Sequence, residues 1–415
     1  MIALAYALLA IVLLLVDRRL GLDRRFADSD AWVFGGGADG TRGVLLAIAG
    51  TMITVISVVF SLTIVVLQIA SAQFTPRVLR LFTGDRGTQV VLGVFLGTFA
   101  YALIVLRAIR GPGDNGGDAF VPVTATATAI VLAIVSIGFM VYSISHIARA
   151  IQVAVIIERV MADTIDLIDE EEAAAGGGAA PARGWREPTG PPAVIATRQA
   201  GYLQAIDAAA LREAAARAGL TLRTEPVVGA FVLPGAALAS AWPAAAVDPE
   251  VDTAVRAAFV LGPERTRQQD AELGVRQLAD IAIKALSPAV NDPTTATICL
   301  DRLAQILLRA QDWSNGELLP GANGSLVRLR TPTFARLADI AFTQIRRYGS
   351  AAPVLAEHLA ATLGSLVVRV PAPAQAALGD HGRALGRDAE ASLTVPSNRE
   401  RVARALAWVE ASHSG

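Results

Sequence analysis

The sequence predicts an α-helical membrane domain of four transmembrane helices followed by a soluble α+β region, in which a small β-rich module precedes a helical carboxy-terminal domain. Three observations carry that expectation. Hydrophobic residues make up 53% of the 415 residues and charged residues only 18%, below the roughly 25% charge of an average soluble domain. The apolar surplus lies mostly ahead of Arg149. No charge interrupts the chain between Val44 and Ala70, and at about 1.5 Å per residue that stretch crosses a hydrocarbon core of roughly 30 Å.

The transmembrane domain is expected over residues 1–150, with helices near 2–16, 44–70, 90–106 and 120–147. Ile2 to Val16 is apolar but short for a crossing, and it has neither a basic start nor a small-residue cleavage site ahead of Asp17, as a signal peptide would. It is expected to be a first span whose upstream turn is missing, through a late start codon. Gly35 to Gly43 is glycine-rich but has neither the spacing nor the lysine of a phosphate loop. The second span carries a polar seam: Thr54, Ser57, Ser61, Gln68, Ser71 and Thr75 fall on steps of three and four, interrupted only by Ile64. That is one helical face. Two explanations compete, close helix approach with hydroxyls bonding across the contact, or a water-filled path, and under the second Thr54, Ser57, Ser61, Gln68 and Ser71 line it.

Past the seam, Pro76 and the cluster of Arg77, Arg80, Asp85 and Arg86 mark the water interface. The third span contains Gly93-x-x-x-Gly97, a close-packing pattern of membrane helices. The fourth closes on Tyr142, His146 and Arg149, which share a face. Gln73, Arg77, Arg80, Arg86, His146 and Arg149 are the candidate interfacial or gating residues. Val153, Ile157, Val160, Thr164 and Leu167 then continue a seven-residue repeat to the acidic run at Asp169, so 151–172 is a helical connector or an amphipathic helix lying on a core. Positive-inside counting over Arg18, Arg19, Arg24, Arg25 and Arg42 would put the first loop in the cytoplasm. Arg77, Arg80, Arg86, Arg149 and Arg159 weigh for the opposite side, and a cytoplasmic soluble region is the orientation adopted.

Residues 173–192, rich in Ala, Gly and Pro, have the composition of a flexible linker. A small α/β or β-sandwich-like module is expected over 193–262: strand character near Tyr202, a helix from Ala208 ended by Gly219, a strand at Leu220 to Thr224, and an alternation of apolar and turn residues from Pro226 to Leu238. Residues 263–415 read as a mainly helical domain. Ser287-Pro288 breaks one helix, and Asp292 with Pro293 has the chemistry of an N-cap and first helical position for the next. An anion or partner site at that helix start is the functional alternative.

Several classes are disfavoured. The net charge is -1, so no basic field invites nucleic acid. One cysteine, Cys299, cannot build an intrachain disulfide framework. Lys284 is the only lysine. His146, His358, His381 and His413 are scattered, and no metal-loop spacing, nucleophile elbow or dinucleotide fingerprint occurs. No enzyme activity, metal or cofactor is expected.

The stretch LQIASAQFTPR within 57–107, together with SPAVNDPTT within 264–303, resembles the bacterial predicted-membrane-protein family catalogued as domain of unknown function 2254. The resemblance spans nearly the whole chain. It implies four amino-terminal membrane helices, a cytoplasmic carboxy-terminal region and an arginine-bearing segment ahead of the first helix that this sequence lacks. It also directs attention to Gln68, Ser71, Gln73, Phe74, Pro76 and Arg77, and to Glu264, Arg265, Thr266, Gln269, Asp270, Ser287, Pro288, Asn291, Asp292 and Pro293. Of these, Glu264, Arg265, Asp270, Ser287, Asn291 and Asp292 are the candidate soluble-domain ligand or coupling residues.

The resulting expectation is a homo-oligomeric protein of the bacterial inner membrane that conducts ions or small solutes, gated by its soluble domain. An arginine collar would favour anions. The alternative is a membrane-anchored sensor or scaffold, in which the 264–292 block binds a ligand or partner and the spans only hold it at the bilayer.

Overall fold

The chain divides into two units, Met1–Gln152 and Val153–Gly415, and the computed structural model describes residues 1–20, 37–73, 86–111, 119–150, 152–175, 180–181, 185–312 and 316–411. In the first unit the described residues form helices α1 (Ile2–Leu20), α2 (Ala38–Gln73), α3 (Arg86–Ala108) and α4 (Val123–Ala150). α3 is the centre, packed against the other three. The glycines foreseen as a close-packing pattern are where α1 lies on it: a Cβ on Gly93 would sit 3.1 Å from the Ile2 side chain and one on Gly97 2.8 Å from the Tyr6 ring.

Three helices are long and apolar enough to cross a membrane: α2 over Ala38–Ile69, α3 over Gly87–Ala108 and α4 over Val123–His146. α1 is not among them, which corrects the expectation of four spans. Its apolar run stops at Val16, and Asp17, Arg18 and Arg19 follow within the same helix. Asp17 is completely buried. Its Oδ1 accepts from Thr124 N at 3.2 Å and Thr124 Oγ1 at 2.5 Å, and its Oδ2 from Ala125 N at 3.0 Å. The end of α1 thus satisfies the free amides that open α4, where the helix dipole favours a negative charge. Outward, the unit presents Leu46, Ile53, Phe60, Val131, Ile134 and Val141, an exterior suited to lipid rather than water.

The second unit combines two sheets with a helical layer. In the larger sheet the strand order is β1 (Ala180–Pro181), β8 (Glu317–Pro320), β9 (Leu326–Leu329), β4 (Thr221–Thr224), β6 (Ala237–Trp242), β2 (Ala193–Ala196). All neighbours are antiparallel except β4 and β9, which run parallel with Thr221 opposite Leu326. The smaller sheet orders β5 (Phe231–Val232), β3 (Gly201–Ile206) and β7 (Phe259–Gly262). Helix α6 (Ala208–Ala218) is capped by Asp207, which accepts from Ala210 N, and ends at Gly219 with φ 61°; with α7 (Pro249–Ala257) it covers a core of Leu203, Leu211, Leu222, Leu238, Val255 and Val327. The β8–β9 hairpin departs from expectation. Residues 263–415 are mainly helical, yet they lend two strands to the sheet of the preceding segment.

The helical layer is built around α8 (Ala271–Ala285), which packs on α5 (Val153–Ala175), α9 (Pro293–Arg309) and α10 (Phe334–Gly349). Next to these, α11 (Pro353–Val367) lies on α9 and α12 (Ala372–Ser392) on α10 and α11. α5, one of the two readings of the heptad stretch, lies on this core: Ile156, Ile157, Val160 and Ile168 are buried, and a Cβ on Gly274 of α8 would collide with Thr164. Along its rim, Glu158, Asp163 and Asp169 pair with Arg302, Arg267 and Arg309. Each buried aliphatic side chain is worth about 1.5–3 kcal/mol and each exposed ion pair about 0.2–1 kcal/mol, so burial holds the helix and the pairs trim its edge. Part of the stretch read as a linker is also tied down. Trp185 stacks on Arg328, Glu187 pairs with Arg223, and Gly190 O accepts from Trp242 Nε1.

Candidate functional site

Two places gather the residues singled out in the sequence. The first is the polar seam of α2. Its opposite face, Leu45, Ala49, Met52, Val59 and Val66, is buried in the unit, so the seam points away from α1, α3 and α4, and Thr54, Ser57, Ser61 and Gln68 are all exposed. Intramolecular packing against these helices does not explain it. Thr54 and Ser57 donate to the carbonyls of Gly50 and Ile53 at 3.1 and 3.0 Å, the local bond by which a hydroxyl tolerates an apolar setting. Ser61 and Gln68 make no such bond with a described residue. Ser71 and Gln73 lie on the last turn of α2 and Arg86 opens α3, with side chains outside the described set; Arg77 and Arg80 lie outside the described residues.

His146 stacks on Tyr142, with ring centroids 5.5 Å apart and 17° between planes, and its ring lies over Gly87, where a Cβ would fall 2.8 Å from Nε2. Arg149 is exposed and donates from Nε to Ser145 O at 3.2 Å. His146 therefore packs against the start of α3.

The second place is the start of α8. Arg265 grips Asp270 with both arms of its guanidinium, Nε to Oδ2 and Nη2 to Oδ1, each at 2.6 Å. Asp270 also accepts from Leu273 N at 3.0 Å and so caps the helix. Glu272, 4% exposed, accepts from Arg336 Nε at 3.1 Å and lies 3.8 Å from Arg265 Nη2. Burial pushes the Asp270 carboxyl above its ordinary value, and the hydrogen bonds from Arg265 pull the other way. The turn at Gly229, with φ 87°, passes so close that any Cβ would collide with Asp270 and Arg265. Gln269 bonds the backbone of Ile206 with its amide oxygen at 2.8 Å, and Glu264 O accepts from Gln204 Nε2 at 2.7 Å.

Ser287, Asn291 and Asp292 are not part of that arrangement. They form the corner at the far end of α8, and 15 helical residues separate the two groups by roughly 22 Å. Asn291 adopts φ 48°, its N–H donates to Ser287 O at 2.9 Å, and Asp292 caps α9 by accepting from Thr295 N at 3.0 Å. This is the helix corner the Ser-Pro and Asp-Pro signals describe.

Beside Asp270 lies a cavity of about 160 Å³. Ile206, Leu319 and Leu329 form its apolar side, and Glu171, Asp270 and Glu317 its acidic side. Burial and the nearby charges of Glu317 and Asp270 push the Glu171 carboxyl up to about 8. Among the described residues no cluster of three or more His, Cys, Asp and Glu is arranged to hold a metal. His358 and His381 pair separately, with Asp301 at 2.7 Å and Asp339 at 3.2 Å.

Residues 1–365 match the family described as predicted membrane protein, DUF2254. The chain belongs to the DUF2254 family. Similar proteins are uncharacterized ones of Mycobacterium bovis and of two Mycobacterium tuberculosis strains, H37Rv and CDC 1551, each 35% identical over 347 residues that cover 81% of this chain and 66% of the relative. This chain thus spans a little under two thirds of their length. No solved structure matches it. The DUF2254 match contains the α2 seam, the Arg265–Asp270 pair and the cavity, and stops inside α11, short of α12. With the three apolar helices, membership makes this a multi-pass membrane protein.

Sequence reasoning named Asp270 and Arg265 but missed Glu171, Glu272, Glu317 and Arg336. Glu171 sits in an acidic run that looks like a solvated helix end. Its one local cue was the heptad before it, which buries the face of α5 leading to the cavity.

Proposed function

We propose that this DUF2254 member is a homo-oligomer of the bacterial inner membrane in which the polar faces of α2 from several copies surround a conduit for ions or small solutes, with the second unit on the cytoplasmic side as its gate. One observation supports the reading above others: the seam faces outward while the apolar face of the same helix packs inward. Gln68 has a carboxamide that neither reaches its own backbone nor meets a described partner, and facing lipid it would cost several kcal/mol. A second copy or a column of water removes that cost. The arginines that follow α2 in sequence would make the inner mouth anion-selective, and no reaction is assigned.

Water accessibility tests this. In a Cys299→Ser background, single cysteines at Ser57, Ser61 and Gln68 are expected to react with a charged, membrane-impermeant thiol reagent, and cysteines at Val59 and Val66, which face the core, are not. Positions turned to lipid or packed against a second copy also fail to react, so five unreactive positions would remove the conduit.

A second reading, a membrane-anchored sensor, is favoured by the cavity beside Asp270. Under it, changes at Asp270 abolish the cellular phenotype and seam changes are silent.

A further inference from the structure

The cavity beside α8 has features the conduit does not use. It is lined on one side by the apolar side chains of Ile206, Val228, Leu319 and Leu329, and on the other by the carboxyls of Glu171 and Glu317. Its 160 Å³ exceeds the space of a single water, about 30 Å³ in the liquid, several times over. That is room for one compact ring and a polar head.

The charges around it are unevenly balanced. The positive charge of Arg265 is engaged by Asp270 and Glu272, and Arg330, which also lines the space, donates from Nη1 to Glu225 O at 2.6 Å. Glu171 has no hydrogen bond or ion pair with a described residue, and the charged groups acting on it are Glu317 and Asp270, both acidic. A partly buried carboxyl with two acidic neighbours is favoured by a proton or by a cation. A bare metal ion fits poorly, because half the wall offers no oxygen and a hard cation asks for about six.

We propose that this cavity binds a small organic monocation, a protonated amine on a compact apolar body, with the ammonium group on Glu171 and the body against Leu319 and Leu329. The proposal stands apart from the conduit reading, since every residue it uses lies in the second unit. Binding requires Glu171 to surrender its proton, so a cation displaces a proton and binds more tightly as the pH rises toward about 8, by up to about tenfold per pH unit.

Calorimetry on the full-length chain in detergent, with cyclohexylammonium as the probe and cyclohexanol and magnesium chloride as comparisons, reads this directly. Cyclohexylammonium should bind saturably below about 10 mM, release protons, and tighten several-fold from pH 6 to pH 7. Glu171→Gln should abolish binding. Ala208→Leu, which fills the space and leaves Glu171 in place, should abolish it too, so a variant that fails to fold does not decide the matter alone. Equal binding of cyclohexanol, binding of magnesium in place of the amine, wild-type affinity in folded Glu171→Gln, or no saturable binding of the amine to the wild type would each overturn the proposal.

Discussion

Each unit buries an aspartate at the start of a helix, and the two are neutralised in different ways. Asp17 reaches from α1 to α4 and is met by three neutral donors, two amides and a hydroxyl. Asp270 caps its own helix and is met by a full positive charge, the guanidinium of Arg265. In a unit whose exterior is apolar, a helix end supplies partial charge without placing a cation there. In the second unit an arginine can be held in place by its own pairs to Asp270 and Glu272. The same side chain beside a helix start is thus met by a dipole in one setting and by an ion pair in the other.

The comparison has consequences of graded size. Asp270→Ala leaves Arg265 largely buried beside Glu272 without its main partner and removes the α8 cap, so denaturation of the full chain should show a loss of about 3–5 kcal/mol; a loss under about 1 kcal/mol would mean that the pair is not structural. Arg265→Ala combined with Asp270→Ala should cost less than the sum of the two. Asp17→Ala strands three neutral donors instead of a charge and should cost about 1–3 kcal/mol in a detergent melt, with faster hydrogen exchange at Thr124 and Ala125. If Asp17→Ala proved the costlier change, the dipole would be the stronger partner and the contrast would reverse.

Glu171 sharpens the contrast because it has neither kind of partner. Its folded-state value, about 8, lies above the ordinary 4.5, so between these values the folded chain holds a proton that the unfolded chain has released. Its contribution to stability is therefore complete below about 4.5 and lost as the pH rises to about 8. Relative to the Glu171→Gln protein, the wild type should lose melting temperature as the pH rises across that window. The smallest effect belongs to the rim of α5: Asp163→Ala breaks an exposed pair with Arg267 and should change stability by no more than about 0.5 kcal/mol, less at high salt.

What was legible in the sequence was local. The spans at α2, α3 and α4, the Gly219 stop, the Asp292-Pro293 start and the Gly93/Gly97 groove each rest on residues within a few turns of one another, and each appears where the chain predicts it. α1 shows the limit of that legibility: its apolar run was visible, but that Asp17 behind it would turn inward to cap α4, 107 residues along, was not. The β8–β9 hairpin was lost for a related reason, because its partner strand β4 is remote and the hairpin alone is two short runs among helices. The candidate site divides the same way. The family resemblance pointed to Arg265 and Asp270 without joining them, and the cavity beside Asp270 takes walls from α5, β3, β8 and β9.

The parallel pairing of β4 with β9 also orders events in time. β2, β6 and β4 form one half of the larger sheet, and β1, β8 and β9 the other. A ribosome that has finished β6 must still make α7, α8 and α9 before β9 emerges, and until then β4 shows an open edge of the kind that other strands recruit. By that stage the apolar helices of the first unit have long left the exit tunnel. The middle of the sheet is the last seam to close, and a nascent chain stalled before Leu326 would be a membrane-tethered intermediate with an unpaired strand edge, open to proteases.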